Sequence, residues 1–236
     1  MATILAAAAA LGLSFWKRED WGIYAVAITL LVLAINLVVE RYSTEKKLDR
    51  IIRAIDSSKD IPEGVRFFPK VSDAPSLDSY LEEAKKEILL VGPVRYALVF
   101  SKDRYEKLLL NKAQKCEVKI VINADNPEAV SLWEGSGYSN TKDELSTAHK
   151  VFNKWQQEAR DNHLKLHAKK QSGLIPFTLN VIDGGTKAGK MLVILIPRGT
   201  APDDRPAFEV TRTGQMELFD QIYSKALEIW KTGDEL

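Results

Sequence analysis

The chain has 236 residues, 45% of them apolar and 28% charged, and its 33 Lys and Arg against 32 Asp and Glu leave a formal net charge of +1. That composition supports a buried core and excludes any global pull toward nucleic acid, so an anion site has to come from a local cluster. A single cysteine, Cys116, excludes an internal disulfide and fits a reducing compartment; its apolar surroundings predict core packing rather than a reactive thiol.

Residues 2–16 form an alanine-rich apolar stretch, and residues 21–39 (WGIYAVAITLLVLAINLVV) carry no charge. At 1.5 Å per helical residue the second stretch matches a hydrocarbon core of roughly 30 Å. The expectation is an N-terminal transmembrane helical hairpin over residues 1–42, turned at residues 17–20 (KRED), because no positive residue precedes the first stretch as a signal peptide would require. Trp21, Tyr24 and Tyr42 fit interfacial anchors. The basic residues Arg41, Lys46, Lys47, Arg50 and Arg53 then place the C-terminal domain in the cytoplasm, against the inner (cell) membrane. Residues 43–76 read as a juxtamembrane helix and linker. The helix carries a stripe of Leu48, Ile51, Ile52 and Ile55, suited to helix pairing or to lying on a bilayer, and the linker holds three prolines and an apolar sticking point at Phe67 and Phe68.

From residue 77 the pattern alternates. Helices are predicted over 77–86, 103–114, 127–133, 142–161 and 214–231, and strands over 87–92, 116–123, 164–169, 177–182, 190–196 and 207–212. Strands separated by helices predict a three-layer α/β domain over residues 77–236. The terminal helix presents Met216, Phe219, Ile222, Ala226 and Ile229 on one face.

The stretch EEAKKEILLVG, the strand KCEVKIVIN followed by Asp-Asn-Pro, the long helical insert and the terminal FDQIYSKALEIW occur in an order that resembles one half of the phospholipase D superfamily. That resemblance implies a mixed sheet and a His-x-Lys-x4-Asp signature at a strand ending in a turn. Asp183-Gly184 matches the end of the signature, which puts Thr178 at the lysine position and Pro176 at the histidine position. Proline has no nucleophilic nitrogen and threonine no permanent charge, so the motif is degenerate and no catalysis is expected there. His163-Leu-Lys165 and His167-Ala-Lys169 contain His-x-Lys, but the aspartate positions are Lys170 and Leu174. A lone half-domain further implies a homo-oligomer.

Two other patterns bear on ligand binding. Residues 184–190 fit Gly-x4-Gly-Lys, yet Met191 follows where a phosphate loop needs Ser or Thr and a strand follows where it needs a helix, so a hairpin loop is expected. His163 and His167 are four apart, but polar and apolar residues alternate through HLKLHAKK, which predicts a strand with His163, Lys165, His167 and Lys169 on one cationic face rather than a metal site. With Lys187, Lys190, Arg198, Arg205 and Arg212 they form the candidate anion site, weighed against a solvated sheet edge. No cofactor is expected. The functional expectation is a membrane-anchored, non-catalytic sensor or effector of the kind that serves prokaryotic defence. It would bind a phosphate-bearing ligand, either a nucleotide or an anionic lipid, or else a protein partner encoded beside it, and would have the lipid bilayer as its other partner. The alternatives are a membrane-bound phosphodiesterase or lipid-modifying enzyme using His163 and Lys165, and a passive scaffold.

Overall fold

The computed structural model describes residues 63–134, 140–196 and 200–236. The chain divides into two compact units, Met1–Lys59 and Asp60–Leu236, and the description concerns the second. The apolar segments, the basic run and the Leu48–Ile55 stripe lie outside the described residues.

The centre of the domain is β2 (Glu87–Val91), whose five residues EILLV are all buried. A strand buried at every position, with four apolar residues in succession after Glu87, must be covered on both faces, and this one is. It pairs in parallel with β3 (Glu117–Asn123) and antiparallel with β5 (Phe177–Ile182). Adding β1 (Val65–Phe68), β4 (Leu166–Gln171), β6 (Lys190–Leu195), β7 (Ala207–Thr211) and β8 (Asp234–Glu235) gives one mixed eight-stranded sheet in the order β1-β7-β6-β5-β2-β3-β4-β8.

Helices cover the two faces unequally. On one face lie α1 (Leu77–Glu82), α2 (Tyr96–Phe100), α3 (Lys102–Ala113) and α5 (Thr141–Asp161); α4 (Pro127–Glu134) precedes α5 in the chain. The long helix α5 buries Leu145, Ala148, Phe152, Trp155 and Ala159, spaced by three or four residues, against Ile88, Leu90, Ile120 and Ile122 of the sheet. The Phe152 and Trp155 rings meet edge to face at 5.3 Å. The opposite face is covered by α6 (Met216–Thr232), whose Phe219 and Ala226 pack on Leu89, Val91, Val181 and Met191. Cys116 is buried, as its surroundings predict.

Buried polar side chains tie the strand ends to their neighbours. The Asn123 amide, fully buried at the end of β3, donates to the Gly173 carbonyl at 2.7 Å, and its oxygen accepts from Trp133 Nε1 at 3.3 Å. Gln156 Oε1 accepts the Ala168 backbone N–H at 2.7 Å, fastening α5 to β4.

Several expectations need correction. The 57–76 linker contains β1, which has no periodicity of its own and is a strand because it pairs antiparallel with β7, Phe67 opposite Phe208. The helix expected over 77–86 stops at Glu82, because the backbone N–H groups of Lys85, Lys86 and Glu87 are taken by the Asp183 carboxylate. His163 lies outside β4, in a turn with φ 55°. The expected fold class is corrected as a whole. The described residues form an α/β mixed eight-stranded sheet, and none of their helices is long and apolar enough to cross a membrane; the hairpin expected over residues 1–42 falls outside them.

Candidate functional site

A cavity of about 620 Å³ lies beyond the carboxyl end of β2 on the face carrying α1, α2 and α5, the end at which open α/β sheets place ligands. Its floor is the first half of β5, where alternation turns Thr178 and Asn180 toward the cavity while Leu179 and Val181 enter the opposite core. The paired positions of β6, Ile194 and Leu192, extend that floor. Two connections form the walls: the segment from Val71 to Leu77, which joins β1 to α1, and residues Pro202, Asp203 and Arg205 before β7. Lys70 and Asp204 bridge these connections by an exposed 2.6 Å ion pair.

Two arginines line the cavity, Arg95 at 7% exposure and Arg205 at 6%. Arg95 precedes α2 in the left-handed region, φ 59° and ψ 47°, a conformation costing a non-glycine residue roughly 1–2 kcal/mol. Gly92 makes room for it: a Cβ there would stand 2.9 Å from Arg95 Cδ and 3.1 Å from Thr178 Oγ1. The Asn180 side chain, 3% exposed, has a carbonyl oxygen with no hydrogen-bond partner among the described residues. Acidic groups lie at less buried positions, with Asp203 exposed and Glu144 half-buried; desolvation raises the Glu144 pKa. Buried guanidiniums present planar forks of donors that match phosphate oxygens bidentately, so the deep part of the cavity has the chemistry of an oxyanion site.

Of the described cationic residues singled out from the sequence, Arg205 alone lines this cavity. His167 and Lys169 point from β4 to the α6 face, where Lys169 Nζ lies 5.0 Å over the Trp230 ring and 3.6 Å from Glu235. His163 and Lys165 are exposed before β4. Lys187 is exposed in the β5–β6 turn, which is the hairpin loop expected in place of a phosphate loop. Lys190 pairs with Glu83 at 2.6 Å and Arg212 with Asp220 at 2.9 Å, while Arg198 lies outside the described residues. Among the described residues no cluster of three or more His, Cys, Asp or Glu is arranged to hold a metal. Arg95 and Asn180 escaped the sequence reading. Their signals were a charged residue just past the ILLV strand and an amide on the polar side of the alternation through 177–182.

The three residues of the degenerate motif separate. Pro176 is exposed before β5 begins, and Thr178 faces the cavity. Asp183, 6% exposed with φ 53°, directs its carboxylate away to the backbone N–H groups of Lys85 at 3.0 Å, Lys86 at 2.6 Å and Glu87 at 3.1 Å. Gly184 beside it packs on Tyr223 of α6, whose hydroxyl donates to Glu87 Oε2 at 2.6 Å. Burial and the Glu87 carboxylate both push the Tyr223 pKa up. The Asp-Gly turn is therefore an anchor for the start of β2.

No family model matches the chain, and no curated protein does. The resemblance to the phospholipase D superfamily is corrected accordingly, and the homo-oligomer inferred from a lone half-domain loses its basis. A solved structure that matches is that of TrmBL2, an archaeal chromatin protein described as showing a novel mode of DNA binding. The match has 12% identity over 92% of this chain and 70% of that one, with a TM-score of 0.44, and a likeness so distant carries no argument about function.

Proposed function

We propose that residues 63–236 form a non-catalytic binding domain that senses a phosphate-bearing ligand in the cavity between β5, α2 and the two bridged connections. The observation that carries this reading is the pair of arginines, each more than nine-tenths buried, lining one cavity. Guanidiniums present planar forks of donors that match phosphate oxygens, and a phosphate-bearing ligand would bring two or more anionic oxygens to the pair. The described lining residues offer hydroxyls, carboxylates and guanidiniums but no histidine, cysteine or lysine, which favours holding a phosphate over transferring it. The wall from Val71 to Leu77 follows β1 directly in the chain. Location at the cytoplasmic side of the cell membrane is a proposal supported only by the sequence of residues 21–53, and fractionation of cells expressing the full chain tests it.

Two measurements on the full chain test the binding reading. Inorganic pyrophosphate should raise the melting temperature, and a generic phosphodiester should not be turned over. An unchanged melting temperature at saturating pyrophosphate would remove the proposed site. Turnover lost in His163→Ala would establish the enzymatic alternative.

A further inference from the structure

We infer that the ligand is a nucleotide, held by its phosphate at Arg95 and Arg205 and recognised by its base through Asn180; this rests on the reading of the cavity as a phosphate site. Three observations on the same cavity lead to it. The volume, about 620 Å³, falls in the ~300–1,000 Å³ range of small-molecule sites and far exceeds the needs of one phosphate group. The lining is divided in character: beside the two guanidiniums lies an apolar surface that includes Leu77, Pro93, Leu192 and Ile194. A free oxyanion or a polyhydroxylated sugar phosphate would leave that surface without a matching partner, whereas the flat face of a nucleobase covers it.

The third observation fixes the polarity of recognition. Asn180 sits in mid-strand, 3% exposed, with its side-chain carbonyl unpartnered and turned to the cavity. An unsatisfied buried acceptor costs about 1–3 kcal/mol, and the group that relieves it must bring an N–H or O–H into an apolar setting. Phosphate oxygens at neutral pH accept and do not donate in this way. The amino groups of adenine, guanine and cytosine and the ring N–H of uracil do donate, and an asparagine amide can read a donor and an acceptor side by side on one base edge. Thr178, two residues along the same strand face, lies between Asn180 and the Gly92–Arg95 corner, so its hydroxyl is placed to meet the middle of such a ligand.

The test titrates the full chain with the four common nucleoside 5′-monophosphates, ribose 5-phosphate, inorganic pyrophosphate and vesicles of phosphatidylglycerol. At least one nucleotide is expected to bind about tenfold or more tightly than ribose 5-phosphate, a difference near 1.4 kcal/mol. If adenosine 5′-phosphate is the tightest, purine riboside 5′-phosphate, which lacks the amino group, should lose that advantage. Asn180→Leu should bring nucleotide affinity down to that of ribose 5-phosphate while leaving pyrophosphate binding unchanged. The wild-type comparisons decide the matter even if this variant fails to fold. Equal binding of nucleotides, ribose 5-phosphate and pyrophosphate would overturn base recognition and leave the phosphate site standing. Binding of vesicles alone would replace the nucleotide with a lipid headgroup, and binding of none would overturn both readings.

Discussion

Replacing Asp183 with alanine should destabilise the domain more than any other single change in the β5–β6 turn. Its carboxylate accepts three successive backbone N–H groups, from Lys85, Lys86 and Glu87, the last of them buried. A hydrogen bond to a charged group contributes about 1.5–3 kcal/mol net, and a buried donor left unmade costs about 1–3 kcal/mol. Because the three share one carboxylate they do not add fully, and about 3–5 kcal/mol is expected for their joint loss. Asp183 also has φ 53°, where alanine is strained by a further ~1 kcal/mol or more and glycine is not. The order of stability should therefore be wild type, then Asp183→Asn, which keeps one acceptor, then Asp183→Gly, then Asp183→Ala. For a domain of this size each kcal/mol shifts the melting temperature by about 2–4 °C, so Asp183→Ala should melt about 10–20 °C lower. Heat denaturation of the full chain, followed by fluorescence of the buried Trp133 and Trp155, measures it. A melting temperature for Asp183→Ala within 2 °C of wild type would refute the anchoring role.

Gly92→Ala should leave the fold intact but weaken pyrophosphate binding by about tenfold, because the new Cβ would crowd Arg95 Cδ at 2.9 Å and turn the guanidinium from its place; comparing melting temperature with affinity separates the two effects. Gly184→Ala should cost about 2–3 kcal/mol by overpacking, since a Cβ there would overlap the Tyr223 ring, and urea unfolding reads the loss. For Glu144, burial raises the folded-state pKa above its ordinary value, so its proton is held more tightly in the folded protein. Its contribution to stability is full below the unfolded pKa and is lost as pH rises through the folded one. Glu144→Gln should therefore gain melting temperature relative to wild type between pH 4 and pH 8, and a constant difference across that window would count against the shift.

The architecture was legible where one element's pattern was enough to define it. The apolar run ILLV after Glu87, the alternation through residues 177–182 and the three- and four-residue spacing of Leu145, Ala148, Phe152, Trp155 and Ala159 each identify an element before any tertiary contact is known. It was not legible where a partner decides the structure. Phe67 and Phe68 read as sticking points in a linker because β7, which makes them a strand, lies about 140 residues away in sequence. The end of α1 is set by Asp183, about 100 residues on. The same holds for the site. Basic residues close in sequence, such as His167 and Lys169, appeared to belong together, yet they face α6, while the cavity draws Arg95, Asn180 and Arg205 from three separate connections and strands. Asp183-Gly184 looked like the remnant of a catalytic motif because an aspartate at a strand end is common to catalysis and to backbone anchoring; only the direction of its carboxylate separates them.

Phosphate binding in this cavity depends most directly on the two buried arginines. Calorimetric titration of inorganic pyrophosphate into the full chain, beside the Arg95→Gln/Arg205→Gln double variant at the same ionic strength, isolates their contribution. Two charge-assisted contacts of about 1.5–3 kcal/mol each predict affinity at least a hundredfold weaker in the double variant, with its circular dichroism unchanged. Equal affinity in the two proteins, or no heat of binding in the wild type, would contradict the claim that this cavity holds a phosphate-bearing ligand.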